Sequence, residues 1–152
     1  MVGLKQIGVG APLVAALALL SLPVSAKAED YPINPGYWEI RTAWLGLLTK
    51  TERYCIEPKN IAKFMSGPCN HIYHCSYPVQ QTADGKVYFK GKVLGHDEAY
   101  DVEGGGDYSP TSLDVKFSGS GHWRFVPVVG ATASIRAQFL DAACPIDAKR
   151  FK

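Results

Sequence analysis

From Gly36 the chain alternates apolar and polar positions, with Trp38, Ile40 and Trp44 on one side and Glu39 and Arg41 on the other. A period of two predicts a half-buried strand. Thr49 to Ile56, rich in β-branched and aromatic residues, predicts a second strand. The period then changes. Pro58 suits a first helical position, and Ile61, Phe64 and Met65 follow at i, i+3, i+4 spacing. This predicts one short amphipathic helix over Pro58 to Met65, ended by Gly67-Pro68. His71 to Val79 resumes the strand pattern, broken by Pro78, and Ala83-Asp84-Gly85 is a turn signal leading into Lys86 to Leu94. There Val87, Phe89 and Val93 alternate with Lys90 and Lys92, so the pair reads as a hairpin.

His96 to Glu103 is polar and predicts an exposed strand, followed by a tight turn at Gly104-Gly105-Gly106-Asp107. Leu113, Val115 and Phe117 predict another strand, Gly119 to Gly121 a turn, and Trp123 to Val129 and Ala131 to Leu140 two further apolar stretches. Seven or eight short strands with close turns and one helix are the signature of a mainly β fold: an antiparallel barrel-like or strongly curved sheet.

The first 28 residues read differently. Lys5 gives a positive start, Ile7 to Leu22 is apolar or small apart from Ser21, and Ala26-Lys27-Ala28 is a small-x-small cleavage site. That order and size predict a secretory signal peptide cut near Ala28, too short and too interrupted by Gly and Pro for a membrane span. No cysteine follows the apolar run to carry a lipid. The expected mature domain is 29–152, periplasmic or secreted, with no integral membrane span after cleavage. Its charge changes accordingly. The net charge of +2 falls to zero because Lys5 and Lys27 leave with the leader. A neutral surface gives no general pull toward nucleic acid.

All four cysteines, Cys55, Cys69, Cys75 and Cys144, lie in the mature part. In an exported chain they read as two disulfides, with three pairings open. Cys69-Asn70-His71-Ile72-Tyr73-His74-Cys75 also places two cysteines and two histidines within seven residues, a weak zinc or copper candidate through His71 and His74. On a continuous strand, however, His71 and Cys75 face one way and His74 the other. A second cluster, Asp97, Glu98, Asp101, Glu103 and Asp107, departs from the EF-hand spacing and reads as a solvated edge strand. No nucleophile motif, metal-hydrolase motif or phosphate loop is present, so nothing points to an enzyme or a cofactor.

Several segments together resemble one family. Asn34-Pro35-Gly36-Tyr37-Trp38-Glu39-Ile40 resembles the "PG-x-WE" opening of the DUF3617 proteins, and Thr51 to Pro58 (TERYCIEP) their "T-x-x-x-C-hydrophobic-x-P" segment. Asp84 to Gly91 (DGKVYFKG), Tyr108 to Ser112 (YSPTS) and Cys144-Pro145 follow in the matching order. The resemblance implies an exported protein with about four cysteines, and no activity or site residue. Lys92 stands where the family usually carries a cysteine, and Cys69 takes the part of the fourth thiol. The preferred pairs are therefore a local Cys69–Cys75 clip and a Cys55–Cys144 bridge from the last segment to an early strand.

The expected function is a non-enzymatic, monomeric binding module for a small apolar or amphipathic ligand or an envelope component. Trp38, Trp44 and Trp123 are the candidate ligand contacts, in a chain whose aromatics exceed the needs of a short-strand core. The alternatives are a protein–protein module, such as an inhibitor of an extracellular hydrolase, and a metal-binding protein using the Cys69–Cys75 segment.

Overall fold

The computed structural model describes residues 31–69 and 71–152; the expected leader and its cleavage site lie outside the described residues. Seven antiparallel strands form one sheet: β1 (Gly36–Trp44), β2 (Leu48–Ile56), β3 (His74–Ala83), β4 (Lys86–Leu94), β5 (Glu98–Ser109), β6 (Ser112–Trp123) and β7 (Val126–Asp141). Their order is β2-β1-β7-β6-β5-β4-β3. Strands β3 to β7 form a meander, and the β1–β2 hairpin adds to its far side by pairing β1 with β7. The sheet is curved but not closed into a barrel, so β2 and β3 remain edges.

Between β2 and β3 the chain makes a 3-10 turn, Pro58–Asn60, and one helix, α1 (Ile61–Met65). Ile61 and Met65 turn into the sheet and are buried, as their spacing requires. They close one end of an inner face whose core includes Trp38, Ile40, Ile56, Phe89, Leu113, Val115 and Phe117. Trp38, Phe89, Ile33 and Ile56 are its largest fully buried side chains. Burial of an aliphatic or Phe side chain contributes about 1.5–3 kcal/mol. The helix end is dense with rings: Trp38 meets Phe139 edge-on at 5.6 Å and Phe64 at 6.3 Å.

The two edges differ, and only β2 is partly covered. On β2, the Cys55 amide donates to the Lys149 carbonyl at 2.7 Å and the Phe151 amide donates back to the Cys55 carbonyl at 3.0 Å. Strand β3 carries Pro78 inside a register shift between Ser76 and Val79, which interrupts its pairing. The β3–β4 turn is where the sequence puts it, with Asp84 and Gly85 at φ of 51° and 73°.

The glycine runs are where the structure departs from the pattern. Gly104, Gly105 and Gly106 are not a turn but the middle of β5, and Gly119 and Gly121 lie inside β6. The turn instead falls at Pro110-Thr111, between the paired residues Ser109 and Ser112. Gly104 stands opposite both Phe89 and Phe117 on the inner face, and a Cβ there would lie 2.4 Å from the Phe117 Cβ. Glycine is needed for close approach, and sequence pattern alone does not separate that from a turn. Likewise Trp123 to Val129 and Ala131 to Leu140 are not two strands: from Val126 they form the single strand β7, with a bulge opposite Gly119 and Gly121. Strand β3 starts at His74 rather than His71, because residues 71–73 form a turn and bend.

Candidate functional site

Alternate residues of a strand share a face, and directly paired residues share it across strands. Beyond the ring-filled helix end, the inner face continues along β6 as Phe117, Gly119, Gly121 and Trp123. Gly119 contributes no side chain and leaves a gap in the floor between two aromatic residues, whereas Gly121 serves close strand approach, since a Cβ there would run into the Ala99 carbonyl oxygen of β5. Trp44 borders it from β1, opposite Ala133, with its ring edge-on to Phe117 at 5.9 Å. Val93 and Tyr100, both half-buried and paired across β4 and β5, form the other side. A Cβ at Gly119 would meet nothing closer than Val102 Cγ2 at 3.6 Å, an ordinary contact, so a side chain fits there without displacing its neighbours.

At the far end the trough acquires polar groups. A cleft of about 310 Å³ is lined by Tyr73, Glu98, Trp123 and Arg124 among others. Glu98 sits opposite Trp123 in the β5–β6 register, and its carboxylate accepts a hydrogen bond from the Tyr73 hydroxyl at 2.8 Å. That bond, with burial second, pushes the Tyr73 phenol up to about 12. Burial, and then the Glu98 charge, also raise Tyr100 above the ordinary phenol value. The Arg124 guanidinium lies over the Trp123 ring, 5.8 Å from its centroid. A second cleft of about 730 Å³ opens on the other side of the β4–β5 turn, against Leu94, His96, His122 and Phe125.

Trp44 and Trp123 are each 51% exposed, so both offer ring surface. Trp38 is fully buried, and its indole N–H donates to the Asn34 carbonyl at 2.9 Å. Cys55 is bonded to Cys144 and Cys69 to Cys75. His71 and His74 are exposed, on a turn and at the start of β3. Among the described residues no group of three or more His, Cys, Asp or Glu is arranged to hold a metal ion.

Apart from Asp97, in the bend before it, the acidic cluster belongs to β5, which is an interior strand and not an edge. Three of its carboxylates are matched one to one with lysines of β4 on the outer face: Asp101 with Lys92 and Glu103 with Lys90, both at 3.1 Å, and Asp107 with Lys86. The Tyr88 hydroxyl and then Lys90 hold the Glu103 carboxyl below its ordinary range. Such exposed pairs contribute little stability individually. They do account for a charged outer surface that sums to almost nothing.

Sequence reasoning missed the floor of the trough because Gly119 and Gly121 read as a turn. It also passed over Arg124, whose only signal was a lone cation between Trp123 and Phe125. No helix among the described residues is long and apolar enough to cross a membrane. Comparison with known proteins finds no matching family model, curated protein or solved structure.

Proposed function

We propose that this protein is an exported, non-enzymatic binding module for an amphipathic ligand. The apolar part of the ligand lies along the inner face between Trp44 and Trp123, and its polar end meets Tyr73, Glu98 and Arg124. One observation carries the reading: β6 offers Gly119 where the inner face has room for a side chain, while the tryptophans at either end stay half exposed. An apolar channel with a few polar groups at one end is the usual form of a small-ligand site. Export is supported by two disulfides that use every cysteine of the chain. Membership of the DUF3617 proteins is part of this proposal and rests on the ordered segments given above.

Gly119→Leu tests it. The new side chain has room at its Cβ and extends into the trough. Wild-type protein is expected to bind N-phenylnaphthylamine with a rise in probe fluorescence. The variant should lose at least about tenfold in affinity, roughly the effect of 1.4 kcal/mol, while its melting temperature stays close to wild type. Equal binding by both proteins, or none by wild type, rejects the ligand reading. The protein–protein alternative draws on the exposed apolar turns, and a stable complex with a hydrolase that leaves probe binding unaffected would favour it.

A further inference from the structure

The open end of the sheet carries most of the apolar surface that folding leaves in water. Ten of the thirteen large hydrophobic side chains exposed among the described residues lie there. The β1–β2 hairpin contributes Trp44, Leu45, Leu47 and Leu48, with Leu47 84% exposed. The β6–β7 hairpin contributes Trp123, Phe125, Val126 and Val129, with Phe125 fully exposed. Leu94 and Ile72 add to them from the ends of β4 and of the segment before β3. Isolated exposed apolar residues need no explanation, but a concentration on neighbouring turns does.

Three features of these hairpins bear on what they meet. First, their pairing shows that the β6–β7 hairpin projects further: β1 stops at Trp44 opposite Ala133, while β6 and β7 continue to Trp123 and Val126. At about 3.3 Å per residue the overhang is on the order of 20 Å. Second, the projecting parts carry no acid. Phe117 to Ile135 holds one formal charge, Arg124, and Thr42 to Thr49 holds none and is bounded by Arg41 and Lys50. Third, Arg124 makes none of the ion pairs formed among the described residues; it stands on Trp123 and beside Phe125 in the β6–β7 turn. The acids at this end, Asp97 and Glu98, lie on the neighbouring β4–β5 turn at the same level: the Arg124 amide donates to the Asp97 carbonyl at 2.7 Å, and the Glu98 carboxylate is engaged by the Tyr73 hydroxyl.

We infer that these hairpin tips dock the protein on a lipid bilayer, the strands lying oblique to the surface so that both tips reach it, with Phe125, Leu47 and Leu45 entering the acyl boundary, Trp44 and Trp123 at headgroup level, and Arg124 on lipid phosphate. A bilayer accepts apolar side chains on separate, unevenly projecting turns, whereas a protein partner needs one complementary surface. Tryptophan and arginine beside fully exposed Phe and Leu match the layered polarity of a membrane interface. The inference rests on the proposed amphiphile reading only in using the same open end, which would place the trough mouth where an amphiphile leaves the membrane.

The experiment is co-sedimentation with vesicles of equal parts phosphatidylethanolamine and phosphatidylglycerol, and with phosphatidylcholine vesicles for comparison. Wild type should pellet with both, more strongly with the anionic mixture. Phe125→Ser combined with Leu47→Ser, two exposed positions, should lower the bound fraction at least about tenfold without changing the melting temperature. Arg124→Gln should weaken anionic binding about fivefold and affect phosphatidylcholine less. Failure of wild type to pellet, unchanged binding by the double serine variant, or concentration-dependent self-association in place of vesicle binding would each overturn the inference. N-phenylnaphthylamine binding in vesicle-free buffer separates the two proposals: retained probe binding without vesicle binding rejects bilayer docking alone, and the reverse rejects the amphiphile site alone.

Discussion

Phe89 and Phe117 meet at 6.2 Å between ring centroids across a strand that lies between theirs, because the intervening residue, Gly104, has no side chain. A Cβ at Gly104 would sit 2.4 Å from the Phe117 Cβ and 2.7 Å from the Lys116 carbonyl oxygen. Neither group is the free end of a flexible chain, so the sheet itself must shift. Gly104→Ala is expected to destabilise the fold by about 1–3 kcal/mol, the range of overpacked cores. Gly119→Ala, with its nearest neighbour at 3.6 Å, should stay within about 0.5 kcal/mol of wild type. Urea unfolding of the two variants side by side measures the difference, and equal costs would contradict the close approach.

The two disulfides close loops of very different size, Cys55–Cys144 spanning 89 positions and Cys69–Cys75 spanning 6. If restriction of the unfolded chain dominates, removing the long bridge costs about 4–5 kcal/mol and the short one about 2. The Cys55→Ser/Cys144→Ser variant also frees the segment that pairs with β2 near Cys55. It should therefore show the larger drop in urea midpoint. A larger drop for Cys69→Ser/Cys75→Ser would mean that the clip holds native structure rather than merely shortening the unfolded chain.

Legibility in the sequence followed the side chains. Strand β4 was readable to its last residue, because Val87, Phe89 and Val93 alternate with lysines. The β3–β4 turn was equally plain, since Asp84 and Gly85 adopt the positive φ that their residue types favour. The glycines of β5 and β6 carry no such signal. The residue that requires Gly104 is Phe117, thirteen positions away and joined to it only by tertiary pairing. The same ambiguity hid the trough, whose ends, Trp44 and Trp123, were singled out while its floor was assigned to a turn. Trp38 shows the converse: alternation puts it on the same side of β1 as Trp44, and only the arrival of α1 and Phe139 buries the one ring while the other stays half exposed.

Phe151 closes the helix end from the last residues of the chain. Its ring packs edge-on against Phe64 at 5.2 Å and Tyr54 at 6.1 Å, and its carbonyl accepts from the Asn60 side-chain amide at 2.7 Å. Phe151→Ala should cost about 2–3 kcal/mol, below the range for a fully buried Phe because this ring is half-buried. Asn60→Ala, which removes one hydrogen bond, should cost about 1 kcal/mol. Urea midpoints at constant slope would establish both; no loss in Phe151→Ala would mean that the C-terminal segment adds nothing to the core.

The Tyr73–Glu98 hydrogen bond makes stability sensitive to alkali. Tyr73 is raised from 10.0 to about 12, first by the bond to the Glu98 carboxylate and then by burial. A raised folded-state value means that the folded chain holds this proton more tightly than the unfolded chain does. The stabilisation is therefore complete below about pH 10 and is lost as pH rises toward about 12. Tyr77, raised to about 12 by burial, acts in the same window. Tyr73→Phe should lower stability at neutral pH and flatten the alkaline decline, leaving the Tyr77 share. Glu98→Gln keeps an acceptor but removes the charge, so Tyr73 should titrate closer to the ordinary phenol value. Urea midpoints measured in steps from neutral pH to about pH 11, with ultraviolet titration of the phenols, test both variants. An alkaline slope unchanged by Tyr73→Phe would show that the bond does not form in solution.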